Sequence, residues 1–178
     1  MSKDTANQLD RISHVVVPGT FDPVTYGHLD VIRRAKRAFP RITVAVAASK
    51  GKGGTGPAFS LDERVTILKE ALEAEGIGPD IDVQPFEGLL IDFCHDLGAT
   101  GLIKGLRAMM DFEFELQQAN LNSRFAPDIE SIFVMSSPEH SYLSSSVVRE
   151  IASFGGDLSR LVPPCVAAHL EKKYAQRA

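Results

Sequence analysis

The sequence predicts an α/β protein whose core is a doubly wound, mainly parallel five-stranded sheet with helices on both faces. First, short apolar segments rich in valine and isoleucine alternate with segments of helical spacing along most of the chain. Second, a helix separates consecutive strands, which requires crossover connections and therefore parallel pairing. Third, the chain has 178 residues, a length typical of one domain of ordinary size.

Five apolar segments predict the strands. Residues 12–18 form a β-branched run that ends in Pro-Gly, and residues 42–48 form a second run of alternating valine and alanine. Each run is too short for a typical helix and is bounded by turn-forming residues. The remaining strands are predicted at residues 81–86, 101–104 and 129–135.

Six segments predict helices. The clearest start is a capping box at residues 60–63, where the Ser60 hydroxyl caps the amide of Glu63 and the glutamate reaches back. Gly76 ends this helix, as glycine commonly does. The other helices are predicted at residues 28–39, 89–97, 111–125, 144–154 and 166–174.

Composition excludes several classes of protein. The net charge of -4 argues against a general nucleic-acid binder, and no apolar run approaches the ~18 residues that a membrane span needs. Cys94 and Cys165 form no CxxC pair, which is typical of reduced thiols and predicts a cytoplasmic protein. Residues 1–10 are polar, lack the pattern of a secretory signal and are predicted as a disordered extension before a single domain at 11–178.

Polar motifs follow the predicted strands, at the sheet edge where α/β proteins bind ligands. After the first strand, residues 18–23 read P-G-T-F-D-P, and T-Y-G-H at residues 25–28 opens a helix. Helix N-terminal amides attract phosphate, and His28 can donate hydrogen bonds to it. Alternatively, the glycine and proline only form turns and His28 only caps the helix.

Charged residues and serines follow the later strands. Lys104 and Arg107 offer two cations after the fourth strand, and Asp111 and Glu115 share a face of the next helix, where a surface salt-bridge set is the alternative. Residues 144–146 are three serines at a helix start, which can bind an anion or simply cap the helix. Two anion-ready helix starts at one sheet edge favour a phosphate site.

These motifs resemble known families. The T-x-G-H string is similar to the signature of the nucleotidyltransferase superfamily, whose members share a doubly wound α/β fold. The added K-G-L-R at 104–107, D-F-E-F-E at 111–115 and the three serines resemble the bacterial phosphopantetheine adenylyltransferase family over nearly the whole chain. The resemblance implies transfer of the adenylyl group of ATP to 4'-phosphopantetheine, which gives dephospho-coenzyme A and pyrophosphate.

The resemblance also implies residue roles. Thr20, His28, Lys52 and Arg107 are expected to be catalytic, and Thr20, Lys52, Leu90 and Lys104 to bind phosphopantetheine. The expected ATP-binding residues are Thr20, Phe21, His28, Gly105, Leu106, Arg107, Glu115, His140, Ser141, Tyr142, Leu143, Ser144, Ser145 and Ser146.

One position stays open within the glycine-rich loop at residues 49–58. The family has a lysine there that reaches both substrates, and either Lys50 or Lys52 can supply it, with Lys52 favoured by its spacing from Ser49. The loop looks longer than is usual in the family, and it is either a mobile lid or a tolerated insertion.

The sequence also leads to expectations about the metal ion, the oligomeric state and alternative functions. Mg²⁺ is expected on the ATP phosphates, with no metal ligated by the protein, because the five histidines show no paired ligand spacing. The resemblance implies a homohexamer, a dimer of trimers. The rival interpretations are another enzyme of the superfamily, such as a nicotinamide mononucleotide adenylyltransferase or a cytidylyltransferase, and a nucleotide-binding module without catalysis.

Overall fold

The computed structural model describes residues 12–48, 56–107 and 109–175. The predicted extension at residues 1–10 and the two candidate loop lysines, Lys50 and Lys52, lie outside the described residues. No helix in these described ranges is both long enough and apolar enough to cross a membrane.

Five strands form one sheet in which every neighbouring pair is parallel. Their order is β3-β2-β1-β4-β5, so the chain leaves β1 toward one edge and later returns to pair on its other side. The prediction of a doubly wound parallel sheet is confirmed. The strands are β1 (His14–Gly19), β2 (Arg41–Ala47), β3 (Ile81–Phe86), β4 (Gly101–Leu106) and β5 (Glu130–Met135).

Six α-helices connect and follow these strands within the described part of the chain. They are α1 (Tyr26–Ala38), α2 (Leu61–Ala74), α3 (Leu90–Leu97), α4 (Met109–Phe125), α5 (Ser145–Ser153) and α6 (Pro164–Ala175). The capping box at the start of α2 is present, since the Ser60 hydroxyl accepts from the Glu63 amide over 3.2 Å. Two short 3₁₀ turns were not predicted from the sequence, Gly78–Asp80 and Pro138–His140.

Several predicted boundaries were wrong by about two residues. β1 begins at His14 rather than at residue 12. β4 continues to Leu106 because Gly105 and Leu106 still pair with β5. α4 begins at Met109. α6 begins at Pro164, where the fixed backbone angle of proline suits the first turn of a helix.

The sheet separates two apolar cores, which explains the near-continuous hydrophobic strands. Val15 and Val17 of β1 face the larger core with α1, α2, α5 and α6. Val16 faces the smaller core, where Cys94 and its neighbours in α3 pack. Covering both faces leaves the carboxyl edge of the sheet open between β1 and β4, where the strand order reverses.

Candidate active site

A cavity of about 1000 Å³ lies at the carboxyl edge of the sheet, where β1 and β4 end side by side. Its volume is at the upper end for a small-molecule site, enough for two ligands that must meet. Eleven of the predicted site residues line it: Thr20, Phe21, His28, Lys104, Gly105, Arg107, Glu115, Leu143, Ser144, Ser145 and Ser146.

Five of the predicted site residues that the structure describes do not line this cavity. Leu90 packs against the smaller core, and the side chain of Leu106 is buried in β4. Tyr142 is 61% exposed, and the His140 ring stacks on Tyr26 with 6.3 Å between ring centroids. Ser141 is exposed and donates its hydroxyl hydrogen to the Pro138 carbonyl over 2.9 Å.

The turn after β1 is shaped by packing between a glycine and an aromatic ring. A Cβ atom on Gly19 would lie 2.8 Å from the Phe21 ring, closer than carbon atoms can approach. Phe21 itself has a positive φ of 47°, which is uncommon for a residue with a side chain. Gly19 is therefore required by the Phe21 ring, in addition to any close approach of an anion to its backbone.

His28 both caps α1 and faces the cavity. The backbone amide of Thr25 donates to Nδ1 of His28 over 3.1 Å, and the Thr25 hydroxyl oxygen lies 3.0 Å from the same nitrogen. A backbone amide can only donate, so Nδ1 must accept and the ring proton sits on Nε2. The two alternatives considered for His28 are thus compatible, because capping by Nδ1 leaves Nε2–H as a donor.

The surroundings of His28 keep its ring neutral. Burial, together with the nearby charge of Arg107, lowers the pKa of His28 from its ordinary value to about 4. The ring also packs edge-on against Phe21, with 5.1 Å between centroids. At neutral pH, His28 therefore offers a fixed hydrogen-bond donor rather than a cation.

Lys104 within β4 and Arg107 just after it have protein partners that fix their positions. The Lys104 ammonium lies 3.2 Å from a carboxylate oxygen of Glu115, and both side chains are largely buried. Arg107 donates to the carbonyl of Leu143 over 2.9 Å, which links the end of β4 to the segment before α5. Lys104 and Glu115, predicted to contact different substrates, are thus paired with each other.

The serine hydroxyls at the start of α5 are engaged by the protein. The Ser144 hydroxyl accepts from the Val147 amide over 3.2 Å and caps the helix. The Ser145 hydroxyl donates to the Pro23 carbonyl over 2.8 Å, so it ties α5 to the turn after β1. The capping interpretation therefore holds for Ser144, while all three serines still line the cavity.

Asp22 and Arg149, which were not predicted as site residues, form an ion pair in the cavity wall. An Arg149 guanidinium nitrogen lies 3.2 Å from the Asp22 carboxylate and also donates to the Asp22 carbonyl. The carboxylate accepts from the amides of Ala58 and Phe59 over 2.8 and 2.9 Å. Asp22 stands in the quoted P-G-T-F-D-P motif, and Arg149 follows the serines by three residues, so motif proximity could have found both.

These features together define a class of protein. An all-parallel doubly wound sheet and a phosphate-ready T-x-G-H helix start at its switch point characterise the nucleotidyltransferases. The sequence model of the family described as cytidylyltransferase-like matches residues 16–151, so the chain belongs to that family.

The particular family follows from relatives of similar length. The chain is 48% identical over 158 residues to the phosphopantetheine adenylyltransferase of Thiobacillus denitrificans, covering 89% of this chain and 95% of that protein. It is 45% identical over 159 residues to the enzyme of the same name from Caldanaerobacter subterraneus subsp. tengcongensis, covering 89% and 96%. The chain belongs to the phosphopantetheine adenylyltransferase family.

A solved structure supports the fold at lower sequence similarity. A bifunctional NMN adenylyltransferase/ADP ribose pyrophosphatase from Francisella tularensis superposes with a TM-score of 0.70 at 14% identity. The match covers 91% of this chain, which spans about half (49%) of that longer protein.

Proposed function

We propose that this protein transfers the adenylyl group of ATP to 4'-phosphopantetheine, and that the cavity between the ends of β1 and β4 holds both substrates. The observation that supports this proposal most directly is that His28 of α1, Lys104 of β4 and Arg107 just after β4 line one cavity of about 1000 Å³. Membership of the phosphopantetheine adenylyltransferase family supports the choice of both substrates.

The reaction requires charge neutralisation more than proton transfer. A phosphate monoester has a second pKa near ~6, so the acceptor is largely a dianion at neutral pH and needs no general base. An acceptor oxygen attacks the α-phosphorus of ATP, the bond to the bridging oxygen breaks, and pyrophosphate leaves with the electron pair. The main barrier is the approach of two anions, which preorganised donors and alignment in one cavity reduce.

His28 suits the stabilisation of the transferred phosphoryl group. Its Nε2–H is the available ring donor because Nδ1 accepts from Thr25. A donor whose orientation is already fixed costs no reorganisation during the reaction. We assign Nε2–H to the oxygens of the α-phosphate, with Thr20 beside it.

The two phosphate-bearing substrates are assigned to different parts of the cavity. Lys104 is assigned to the phosphate of phosphopantetheine, with Lys52 as a second contact to both substrates. Arg107 and the N-terminus of α5 are assigned to the ATP phosphates, since helix N-terminal amides favour anions. For Leu90, Leu106, His140, Ser141 and Tyr142, contacts are proposed through backbone atoms or after a local rearrangement.

Mg²⁺ is proposed to enter with ATP. Among the described residues, no group of three or more histidine, cysteine or acidic side chains could hold a metal ion. The Asp22 carboxylate in the cavity wall is occupied by two amides and Arg149, and Glu115 is paired with Lys104. These carboxylates are therefore already paired within the protein. Mg²⁺ is commonly held by substrate phosphates and water, and in that position it would neutralise part of the ATP charge.

The cellular setting and the assembly are part of the proposal. Both Cys94 and Cys165 are free, which supports a reducing compartment such as the cytoplasm. Residues 11–178 are proposed to form one domain around the single sheet. A homohexamer is proposed because the family resemblance implies one, and the exposed apolar side chains of α4 suit a subunit interface: Phe112, Leu116, Leu121 and Phe125.

The test is an acceptor panel with purified protein, ATP and Mg²⁺, read by pyrophosphate release. We expect release with 4'-phosphopantetheine, and none with nicotinamide mononucleotide or with CTP in place of ATP. Release only with nicotinamide mononucleotide would indicate a different enzyme of the superfamily. ATP binding without release for any acceptor would indicate a binding module and contradict the proposal.

A further inference from the structure

Arg64 of α2 is a fully buried charged residue beneath the cavity. Its side chain is 1% exposed, and it does not line the cavity. Its Nε donates to the Phe59 carbonyl over 3.2 Å, and its Nη1 donates to the carbonyls of Thr20 and Ala47 over 2.7 and 2.8 Å. All three acceptors are main-chain carbonyls, so the guanidinium connects separate pieces of backbone.

Burying the charge of Arg64 is energetically costly. Its hydrogen bonds must offset this cost, which points to a specific role for the side chain. Burial lowers the pKa of Arg64, and the charge of Asp22 offsets part of that effect. The N–H donors of the planar guanidinium have fixed directions. Their hydrogen bonds offset the remaining desolvation cost only if the three carbonyl acceptors stay in position. The positions of the three carbonyls therefore constrain Arg64, and Arg64 in turn constrains the three carbonyls.

The three carbonyls belong to separate segments, two of which supply cavity-lining residues, Thr20 and Ala58. Thr20 immediately follows β1, Ala47 is the last residue of β2, and Phe59 stands just before α2. The Phe59 amide is in turn held by the carboxylate of Asp22, over 2.9 Å. One peptide segment is thus fixed from both sides, by Arg64 at the Phe59 carbonyl and by Asp22 at the Phe59 amide.

We propose that Arg64 is a positioning residue for the adenylyl transfer, which fixes the end of β1 relative to the end of β2. This inference rests on the proposed function. Thr20 at the first strand end is assigned to phosphate, and the chain after Ala47 leads to the candidate lysines, Lys50 and Lys52. Holding both strand ends with one guanidinium fixes the backbone of Thr20, which is assigned to phosphate, relative to the end of β2.

Rate is the property that such positioning affects. A misplacement of about 1 Å in a substrate-positioning group can cost roughly a hundredfold in rate, even when the mutation is remote from the reacting atoms. Lysine retains the charge of Arg64 but lacks the planar fork, so it cannot reproduce three directed bonds. We therefore expect Arg64→Lys to lower kcat about tenfold to a hundredfold. The KM for ATP and the KM for 4'-phosphopantetheine should each change less than threefold.

The experiment compares Arg64→Lys and Arg64→Gln with the control Leu72→Ala. Leu72 lies on the same helix, is 1% exposed and does not line the cavity. Its truncation should lower the melting temperature without changing kcat. For each protein, kcat and the KM values for ATP and 4'-phosphopantetheine are measured by pyrophosphate release. Circular dichroism at the same temperature gives the folded fraction, and kcat is expressed per folded molecule.

Reduced kcat per folded molecule in both Arg64 variants, with kcat of Leu72→Ala unchanged, supports the positioning role. Activity that falls only in proportion to the folded fraction, including failure to fold, assigns Arg64 a structural role and overturns the inference. An inactive wild-type protein overturns the proposed function instead, so the two failures are distinguishable.

Discussion

The backbone amide of Thr25 and Nδ1 of His28 are joined by a 3.1 Å hydrogen bond that fixes the tautomer of the histidine ring. The bond resembles a capping box in which histidine replaces the usual glutamate or glutamine. Because the capping hydrogen bond fixes the ring, it also orients Nε2–H. Formation of the α1 N-terminus therefore places this donor as well. A Cβ atom on Gly27, between the two residues, would make only ordinary van der Waals contacts, the nearest with the Thr25 hydroxyl oxygen at 3.5 Å.

His28→Ala is expected to retain the fold and to lower kcat about a hundredfold to a thousandfold. That range is typical when one donor to a developing negative charge is removed. Steady-state pyrophosphate release gives the kcat value, and the melting temperature monitors the loss of the cap. Turnover near that of the wild type would refute the role assigned to Nε2–H.

A neutral His28 also predicts a specific pH behaviour. Because its pKa is lowered to about 4, the ring should keep its single Nε2 proton as the pH falls through 6.5, the ordinary histidine value. Nitrogen-15 NMR of the histidine rings, with His28→Ala identifying the signal, should show one unchanged tautomer from pH 8 to pH 5.5. A titration of that signal near pH 6.5 would contradict the assignment.

Gly19→Ala tests the packing of the turn after β1. The added methyl group would lie 2.8 Å from the Phe21 ring, so the ring or the turn must move. Overpacking of this kind costs about 1–3 kcal/mol in the free energy of unfolding. Gly56→Ala is the control because no atom of the described residues lies within 4 Å of a Cβ there. Urea denaturation should show the loss for Gly19→Ala alone, and equal stability of the two variants would contradict the packing argument.

The fold and part of the site could be predicted from the sequence because they depend on local patterns. Alternating apolar runs set the strand positions, and the T-x-G-H string located His28 at a helix start. The reason for Gly19 could not be predicted in full. Glycine next to a phosphate site suggests close approach of an anion, whereas the structure fills the same space with the Phe21 ring.

Buried polar contacts were beyond sequence reasoning. Arg64 stands among charged residues in the first turn of α2, where it resembles an ordinary solvent-facing arginine. Only the tertiary placement of the Thr20 and Ala47 carbonyls reveals its burial. The hydroxyls of Ser144 and Ser145 are similar cases, because sequence cannot distinguish a hydroxyl available for phosphate from one bonded to the protein.

Lys104→Ala is expected to raise the KM for 4'-phosphopantetheine at least tenfold and to change the KM for ATP much less. The ammonium carries an assigned charge-assisted contact to the acceptor phosphate, and its removal takes that contact away. Glu115→Gln is the companion variant, since it keeps Lys104 but removes its ion-pair partner. If Lys104→Ala weakened only ATP, the assignment of the two subsites would be wrong.

Replacing apolar side chains on α4 should disrupt the proposed hexamer. Leu121 is 49% exposed and Phe125 is 70% exposed, so a charge at either position should be tolerated within a single chain. In an apolar interface the same charge would be desolvated, which favours dissociation. Light scattering after size-exclusion chromatography should show a hexamer for the wild type and smaller species for Leu121→Glu. Unchanged mass in the variant would contradict the placement of Leu121 in the interface.

His14 predicts how stability depends on pH. Its side chain is 3% exposed, and its Nε2 lies 2.9 Å from the Thr43 hydroxyl oxygen, between β1 and β2. Burial, and secondarily the charge of Arg41, lowers the pKa of His14 below its ordinary value of 6.5. Below pH 6.5 the unfolded chain therefore binds a proton that the folded protein excludes, so the free energy of unfolding falls as the pH drops from 6.5 toward the folded pKa.

The matched variant for this prediction is His14→Gln, which cannot titrate but can still bond to Thr43. Urea denaturation midpoints at pH 8 and pH 5.5 should differ more for the wild type than for His14→Gln. His28 contributes a loss of the same sign in both proteins, because its pKa is also lowered and it is unchanged in the variant. The difference between the two pH responses therefore isolates His14, and identical responses would mean that its ring does not stay neutral in the folded protein.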